Sequence, residues 1–144
     1  MPRLLYGRDA EIAAWVDARI EISTGNGFGP CAGIGVVSDG GTLWAGVVFH
    51  DYQPAFRTIQ VTMASASPMW ARRDVIRGLL SYPFVQLNAF KVWAAVMLGN
   101  DHGIETFRHI GFKREAVLAH QFGRGRHCVM MRLLKTDFDR LYGA

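Results

Sequence analysis

The sequence predicts a single domain of mixed α/β class, in which a β-sheet packs against helices. Two apolar runs flank the Asp-Gly-Gly sequence at residues 39–41, which indicates a hairpin because glycine tolerates the positive φ of a tight turn. A nine-residue apolar run at 90–98 has strand length, and apolar residues then recur at helical spacing from Ile104 to Ile110. The 144 residues, half of them hydrophobic, suffice for one core, and they contain no linker or internal repeat.

The N-terminal half is predicted to contain one helix and three strands. The helix runs from Asp9, which can cap it, to about Ile20, with its apolar stripe at helical spacing. A glycine-rich connector follows at residues 23–30. The predicted strands are residues 31–38, 42–50 and 57–64.

The C-terminal half is predicted to alternate helices and strands. A helix at 69–81 is expected to end before Pro83, because proline lacks the N–H that a helix needs. The strand at 90–98 leads into a helix that begins after Asn100 and ends at Gly111. Two last strands, at 112–122 and 128–134, form a closing hairpin around the Gly-Arg-Gly-Arg sequence at 123–126.

Composition limits the classes of partner. With 16 basic and 12 acidic residues, the net charge of +4 suits an anionic small ligand about as well as nucleic acid. Cys31 and Cys128 lack the spacing of a zinc site or a disulfide framework, so we expect two buried thiols and no metal. No apolar run approaches the roughly 18 residues of a membrane span, and no signal-like segment begins the chain. These features predict a cytoplasmic protein without membrane association.

The segment from Asn100 to Phe112 resembles the GCN5-related N-acetyltransferases. In that family an Asn after the fifth strand precedes a helix that ends in a Leu-Gly-Phe-like sequence, and Asn100, Ile110, Gly111 and Phe112 stand at the matching spacing. Residues 47–52, 67–96 and 111–118 are similar to the small prophage-type acetyltransferases. The resemblance covers about residues 31–135, in the family's order of elements without its first strand.

The resemblance implies one domain over residues 1–144 with a mixed, mostly antiparallel twisted sheet, splayed central strands and flanking helices. It implies transfer of an acetyl group from acetyl-coenzyme A to a small-molecule or protein amine, without a metal. The pantetheine arm of the coenzyme would add like a strand between residues 57–64 and 90–98. Its predicted contacts are Met63, Ala64, Ser65, Asn100 and Phe107.

The family binds the coenzyme pyrophosphate at a helix N-terminus, where free N–H groups attract anions. Its glycine-containing sequence is replaced here by residues 68–73, which contain no glycine. The predicted contacts are Trp70, Ala71, Arg72 and Arg73, and the arginines can add charge-assisted hydrogen bonds. The alternative for the arginine pair is a solvated helix face.

Catalysis needs a base for the amine and a proton for the departing thiolate. The family often supplies the acid from a Tyr seven residues after the Asn, but Phe107 stands there. His50 and Asp51 are the candidates for the base, because histidine titrates near neutral pH. The alternative is a hydrogen-bonded surface pair. By the resemblance, the acceptor pocket would come from residues 9–30 and 51–56.

A second function remains open from the sequence. The net charge, the arginines at 123–126, the missing glycine loop and Phe107 also fit a catalytically altered module of the same fold that binds or modifies nucleic acid. Acetyl transfer is the preferred interpretation. Association into a homodimer is compatible with either function.

Overall fold

Seven strands build one sheet in the computed structural model, which describes residues 1–143. Their order across the sheet is β1-β2-β3-β4-β5-β7-β6, and all neighbours are antiparallel except β4 and β5. The predicted mostly antiparallel mixed sheet is therefore confirmed. The strands are β1 (Arg3–Leu5), β2 (Cys31–Val37), β3 (Leu43–Gln53), β4 (Thr58–Ser65), β5 (Lys91–Met97), β6 (Lys113–Leu118) and β7 (Cys128–Leu134).

Four α-helices flank this sheet. They are α1 (Asp9–Asp17), α2 (Arg73–Ser81), α3 (Asp101–Ile110) and α4 (Lys135–Tyr142), with a 3₁₀ turn at Pro68–Trp70 and a π-helical turn at Tyr82–Gln86. None of the helices in the described part of the chain has the length and apolar character needed to cross a membrane.

The two faces of the sheet carry separate apolar clusters. Val48 packs with Ile12 and Val16 of α1, whereas Val47 belongs to the larger cluster with Ile76 of α2. Consecutive residues of a strand point to opposite faces, so α1 and α2 cover opposite sides of β3. Both faces of the central strands are thereby buried.

Helix α1 packs closely on the sheet at positions where glycines face it. A Cβ atom at Gly46 would lie 2.8 Å from Val16 Cγ2 and 3.0 Å from Trp15 Cε3. At Gly33 it would lie 2.9 Å from the carbonyl oxygen of Asp9. The absence of side chains at these two positions lets the helix backbone approach β2 and β3.

Gly46→Ala should therefore destabilise the protein by about 1–3 kcal/mol, because the extra methyl group overpacks the interface between α1 and β3. Gly40→Ala is the matched control, since the nearest atom to its Cβ would be Ser38 Oγ at 3.9 Å. Chemical denaturation of both variants measures the difference. Equal free energies of unfolding would show that α1 can move away from the sheet at little cost.

The sequence missed two elements at the chain ends. Strand β1 was not predicted, because three residues are too few to show the alternation of a strand; it pairs antiparallel with β2 from Arg3 to Leu5. Helix α4 was not predicted either, because Leu134 precedes it where a polar cap is usual. Its buried face consists of Phe138 and Tyr142, and the Tyr142 hydroxyl donates to the carbonyl oxygen of Ile110.

The helix predicted at 69–81 begins too early, but its predicted end agrees with the end of α2 at Ser81. Arg72 has extended backbone, φ −89° and ψ 148°, so the 3₁₀ turn stops and α2 begins anew at Arg73. Pro83 does not end the helical segment, because the backbone widens into the π-helical turn, in which Leu87 N–H donates to Tyr82 C=O over 3.1 Å. Asp9 does not cap α1; its carboxylate accepts a hydrogen bond from Gly33 N–H at 3.0 Å and ties the helix to β2.

Candidate active site

The parallel strands β4 and β5 pair over only three residues. The paired positions run from Thr58 opposite Lys91 to Gln60 opposite Trp93, yet β4 continues to Ser65 and β5 to Met97. The strands thus diverge after Gln60, as the family resemblance implied. Backbone groups on the facing edges beyond that point have no strand partner and need another hydrogen-bonding partner.

A cavity of about 480 Å³ fills the gap between the diverging strands, and we call it the cleft. Met63, Ala64 and Ser65 line it from β4, and Asn100 and Phe107 line it from the start and middle of α3. These are the five residues that the sequence assigned to the pantetheine site, and the fold brings them together. Residues 19–22, directly after α1, close the cleft on one side.

Asn100 fixes the start of α3 beside the cleft. Its side-chain oxygen accepts a hydrogen bond from Gly103 N–H at 3.0 Å, which is the usual role of an N-cap residue. Phe107, about two helical turns after Asn100, is buried and meets Phe112 edge-on with ring centroids 5.0 Å apart. Phe107 therefore belongs to the core while one part of its ring borders the cleft.

A groove continues the cleft past the end of β4. Ser65 and His102 line both, and Trp70 and Ala71 of the following turn line the groove alone. Trp70 is only 2% exposed, so its ring packs in the core and offers the groove little more than an edge. Ser67 caps the turn by accepting from Met69 N–H at 3.2 Å.

The two arginines predicted at the pyrophosphate lie elsewhere. Arg72 Nε is 3.4 Å from Asp74 Oδ1, and the Arg73 guanidinium donates to Leu141 C=O at 2.6 Å and lies over the ring of Tyr142. Both line a shallow surface groove between α2 and the end of α4, and neither lines the cleft or its continuation. The structure therefore does not bring this arginine pair to the cleft, because α4 holds Arg73 on the other side of α2.

His50 and Asp51 are hydrogen-bonded to each other at the end of β3. The distance from His50 Nδ1 to Asp51 Oδ2 is 2.6 Å, and His50 Nε2 lies 2.8 Å from Thr62 Oγ1. Neighbouring residues of a regular strand would point to opposite faces, but Asp51 has a left-handed backbone with φ 53° at an irregularity in the pairing of β3 with β4. This bulge turns the carboxylate back towards the imidazole.

The surroundings of His50 keep its imidazole neutral. The side chain is buried beneath the ring of Phe28, 4.9 Å away between centroids, and the residue is 6% exposed. Burial lowers the pKa of His50 below its ordinary value, while the hydrogen bond and charge of Asp51 act in the opposite direction. His50 is thus not the surface residue of the alternative interpretation.

A second cavity of about 310 Å³, which we call the side cavity, opens beside His50 and Asp51. Asp17 and Phe28 line it from the segments that the sequence expected at an acceptor pocket. It adjoins the cleft, because Thr62 and Ala95 line both cavities. The sequence missed these two residues and Phe122, which reaches the side cavity from the loop between β6 and β7.

The stability of the protein should depend on pH through His50. Because its pKa is lower in the folded than in the unfolded chain, the unfolded state takes up the proton first as the pH falls below about 6.5, and the folded state loses stability until the folded pKa is reached. His50→Gln should show a smaller loss between pH 7 and 5. Urea denaturation across this range compares the two proteins, and parallel curves would contradict the lowered pKa.

Comparison with known proteins identifies the fold. No protein-family model matches the sequence, and no curated protein matches it. Mutant forms of the Vibrio cholerae spermidine/spermine N-acetyltransferase superpose with a TM-score of 0.77 at 16% identity, covering 97% of this chain and 98% of theirs. The same organism's spermidine N-acetyltransferase in complex with CoA and spermine gives 0.72 at 16% identity, covering 95% and 97%. Its dodecameric form gives 0.74 at 17% identity and covers 95% of each chain.

These structures belong to the GCN5-related N-acetyltransferase superfamily, so this chain has the fold of that superfamily. Over residues 1–143, no three His, Cys, Asp or Glu side chains are arranged to hold a metal ion.

Proposed function

We propose that this protein is an acetyl-CoA-dependent N-acetyltransferase that acts on an amine. The observation that carries the proposal is the divergence of β4 and β5 after Gln60, which leaves unpaired strand edges along a cavity. A buried His-Asp pair lies beside that cavity. The fold, which is shared with a structure solved with CoA, supports the same activity.

The shape of the cleft fits the pantetheine arm of the coenzyme. This arm contains two amide groups, so it can hydrogen-bond to the strand edge at Met63, Ala64 and Ser65 as an added strand would. Small residues at Ala64, Ala95 and Gly103 leave the cleft open. The groove beside Trp70 and Ala71 would receive the diphosphate end, while acetyl-CoA supplies the acetyl group as a thioester.

His50 is the proposed base. Its neutral imidazole can accept the proton of the incoming amine, and the neighbouring Asp51 carboxylate stabilises the imidazolium that forms. This pair lines the side cavity, which we propose to be the acceptor side of the strand gap. Phe107 has no ionisable group, so water or the substrate provides the proton for the thiolate.

The side cavity also bears on the acceptor. Asp17 and Asp51 supply two carboxylates, and Phe28 and Phe122 supply aromatic rings. This lining favours a cationic amine, because carboxylates and the faces of aromatic rings both attract a positive charge. The names of the similar structures include spermidine and spermine, so spermidine is the first acceptor to assay.

Acetyl-CoA should raise the thermal stability of the protein. At a hundred times its dissociation constant, a ligand stabilises the folded state by about 2.7 kcal/mol. ADP, which has no pantetheine arm, should produce a much smaller shift in Tm. No shift with acetyl-CoA, or equal shifts with both ligands, would count against binding in the cleft.

Release of free thiol on adding spermidine, followed with a thiol reagent, then tests transfer of the acetyl group itself.

The nucleic-acid alternative has no support from the comparisons. DNA or RNA binding that falls steeply with salt and is unaffected by acetyl-CoA would favour it over acetyl transfer. Association into a homodimer stays a prediction that light scattering can test.

A further inference from the structure

His50 and Thr62 both have buried polar side chains, and they are hydrogen-bonded to each other. Thr62 is 7% exposed, and its Oγ1 lies 2.8 Å from His50 Nε2. Valine has nearly the same shape as threonine and would fit an apolar strand without a polar group to satisfy. The buried hydroxyl therefore calls for an explanation beyond packing.

The direction of the hydrogen bonds follows from the chemistry of the three groups. The ionised carboxylate of Asp51 can only accept, so Nδ1 of the neutral His50 carries the ring proton and donates it. Nε2 is then bare and accepts from the Thr62 hydroxyl. The Thr62 oxygen keeps a lone pair for another donor.

Both nitrogens of His50 are occupied in this arrangement. Asp51 accepts a hydrogen bond from Nδ1, Thr62 donates one to Nε2, and the ring of Phe28 lies against the imidazole. An amine in the side cavity therefore reaches the imidazole only through the Thr62 hydroxyl. Thr62 is also placed for this contact, since it lines both the cleft and the side cavity on β4, at the second residue past the last paired position.

Within residues 1–143, no Lys or Arg lines the side cavity. The other titratable groups near His50 are Asp17, which lines the same cavity from α1, and Cys31, which is opposite His50 in the pairing of β2 with β3. Burial and the charge of Asp9 raise the pKa of the Cys31 thiol, so it stays neutral. Asp51 is the charge that acts on the imidazole, and it favours the protonated form.

We propose that Thr62 is a catalytic residue that relays the proton of the acceptor amine to His50. The proposal rests on the proposed acetyl transfer. The Thr62 oxygen accepts a proton from the bound ammonium while its own proton moves to His50 Nε2, which leaves a neutral amine beside an imidazolium paired with Asp51. The amine nitrogen then bonds to the thioester carbonyl carbon as the C–S bond breaks. Its second proton neutralises the thiolate, and the imidazolium releases the relayed proton to water.

Thr62→Val removes the hydroxyl and keeps the shape of the side chain, and Thr62→Ser keeps the hydroxyl. We expect Thr62→Val to lower kcat for the best amine about a hundredfold, within the range of general-base contributions. The KM for acetyl-CoA should change less than about threefold, and Thr62→Ser should recover at least about a third of the wild-type kcat. Because Thr62 acts through His50, the double variant Thr62→Val/His50→Gln should be no slower than His50→Gln alone.

Nitrogen-15 NMR of the histidine rings gives a readout that does not depend on activity. The relay requires the Nδ1–H tautomer at His50 in the wild-type protein, and the Nε2–H tautomer would overturn it. Equal kcat for Thr62→Val and wild type, or multiplied losses in the double variant, would overturn it as well. Failure of the wild-type protein to acetylate any amine would instead overturn the proposed function, and the relay with it.

Discussion

His50→Gln should lower kcat for amine acetylation by about 10²–10⁴-fold, the usual contribution of a general base. Glutamine can still accept from the Thr62 hydroxyl and donate to Asp51, so the polar contacts of the site are retained. It cannot take up a proton at any pH near neutrality. The loss should therefore appear in kcat while the KM for acetyl-CoA stays close to the wild-type value.

The pH dependence separates this chemical role from a structural one. In the wild-type protein kcat should rise with pH as His50 loses its proton, and burial places that rise below the ordinary pKa of 6.5. In His50→Gln this rise should vanish. His127→Gln is the control, because His127 lies in the loop between β6 and β7 and lines neither the cleft nor the side cavity. An unchanged rising limb in His50→Gln would remove His50 from the mechanism.

The residues of the cleft were predicted from the family resemblance, and the order of elements explains why they lie together. Met63, Ala64 and Ser65 end a strand, and Asn100 begins a helix directly after another strand. Ends of adjacent parallel strands lie at the same edge of a sheet, so the order of elements alone brings these positions together. The splay between β4 and β5 followed from the family resemblance rather than from any residue of the strands.

Thr62 was not predictable in the same way. Its role depends on the register of β3 against β4, in which Val48 lies opposite Thr62 and His50 lies opposite Gln60. The position of Asp51 depends further on the left-handed backbone at the end of β3. Register and bulges arise from pairing between distant parts of the chain, which a short stretch of sequence does not encode.

Arg72 and Arg73 illustrate the opposite error. They were predicted to contact the pyrophosphate because they stand at a helix start, but the Arg73 guanidinium contacts Leu141 and Tyr142. Both belong to α4, a helix that was missed because no polar residue precedes it. Because α4 was not predicted, its contacts with the Arg73 guanidinium could not be predicted either.

Ala95→Phe should raise the dissociation constant for acetyl-CoA by at least about a hundredfold, which is a loss of about 2.7 kcal/mol of binding free energy. Ala95 is half-buried on β5 and lines both the cleft and the side cavity. A phenyl ring there would occupy the gap between the diverging strands that the pantetheine arm needs. The fold should tolerate the ring, because it enters a cavity instead of the packed core.

Ala116→Phe is the matched control, because Ala116 lies on the opposite side of β7 from Ala95. Ala95 and Ala116 are both half-buried and both lie opposite Met130 of β7, one from β5 and the other from the edge strand β6. Ala116 lines neither cavity, so its variant should bind acetyl-CoA like the wild-type protein. Calorimetry measures both affinities, and thermal melts confirm that both variants are folded. If a folded Ala95→Phe binds acetyl-CoA as tightly as Ala116→Phe, the coenzyme does not enter between β4 and β5.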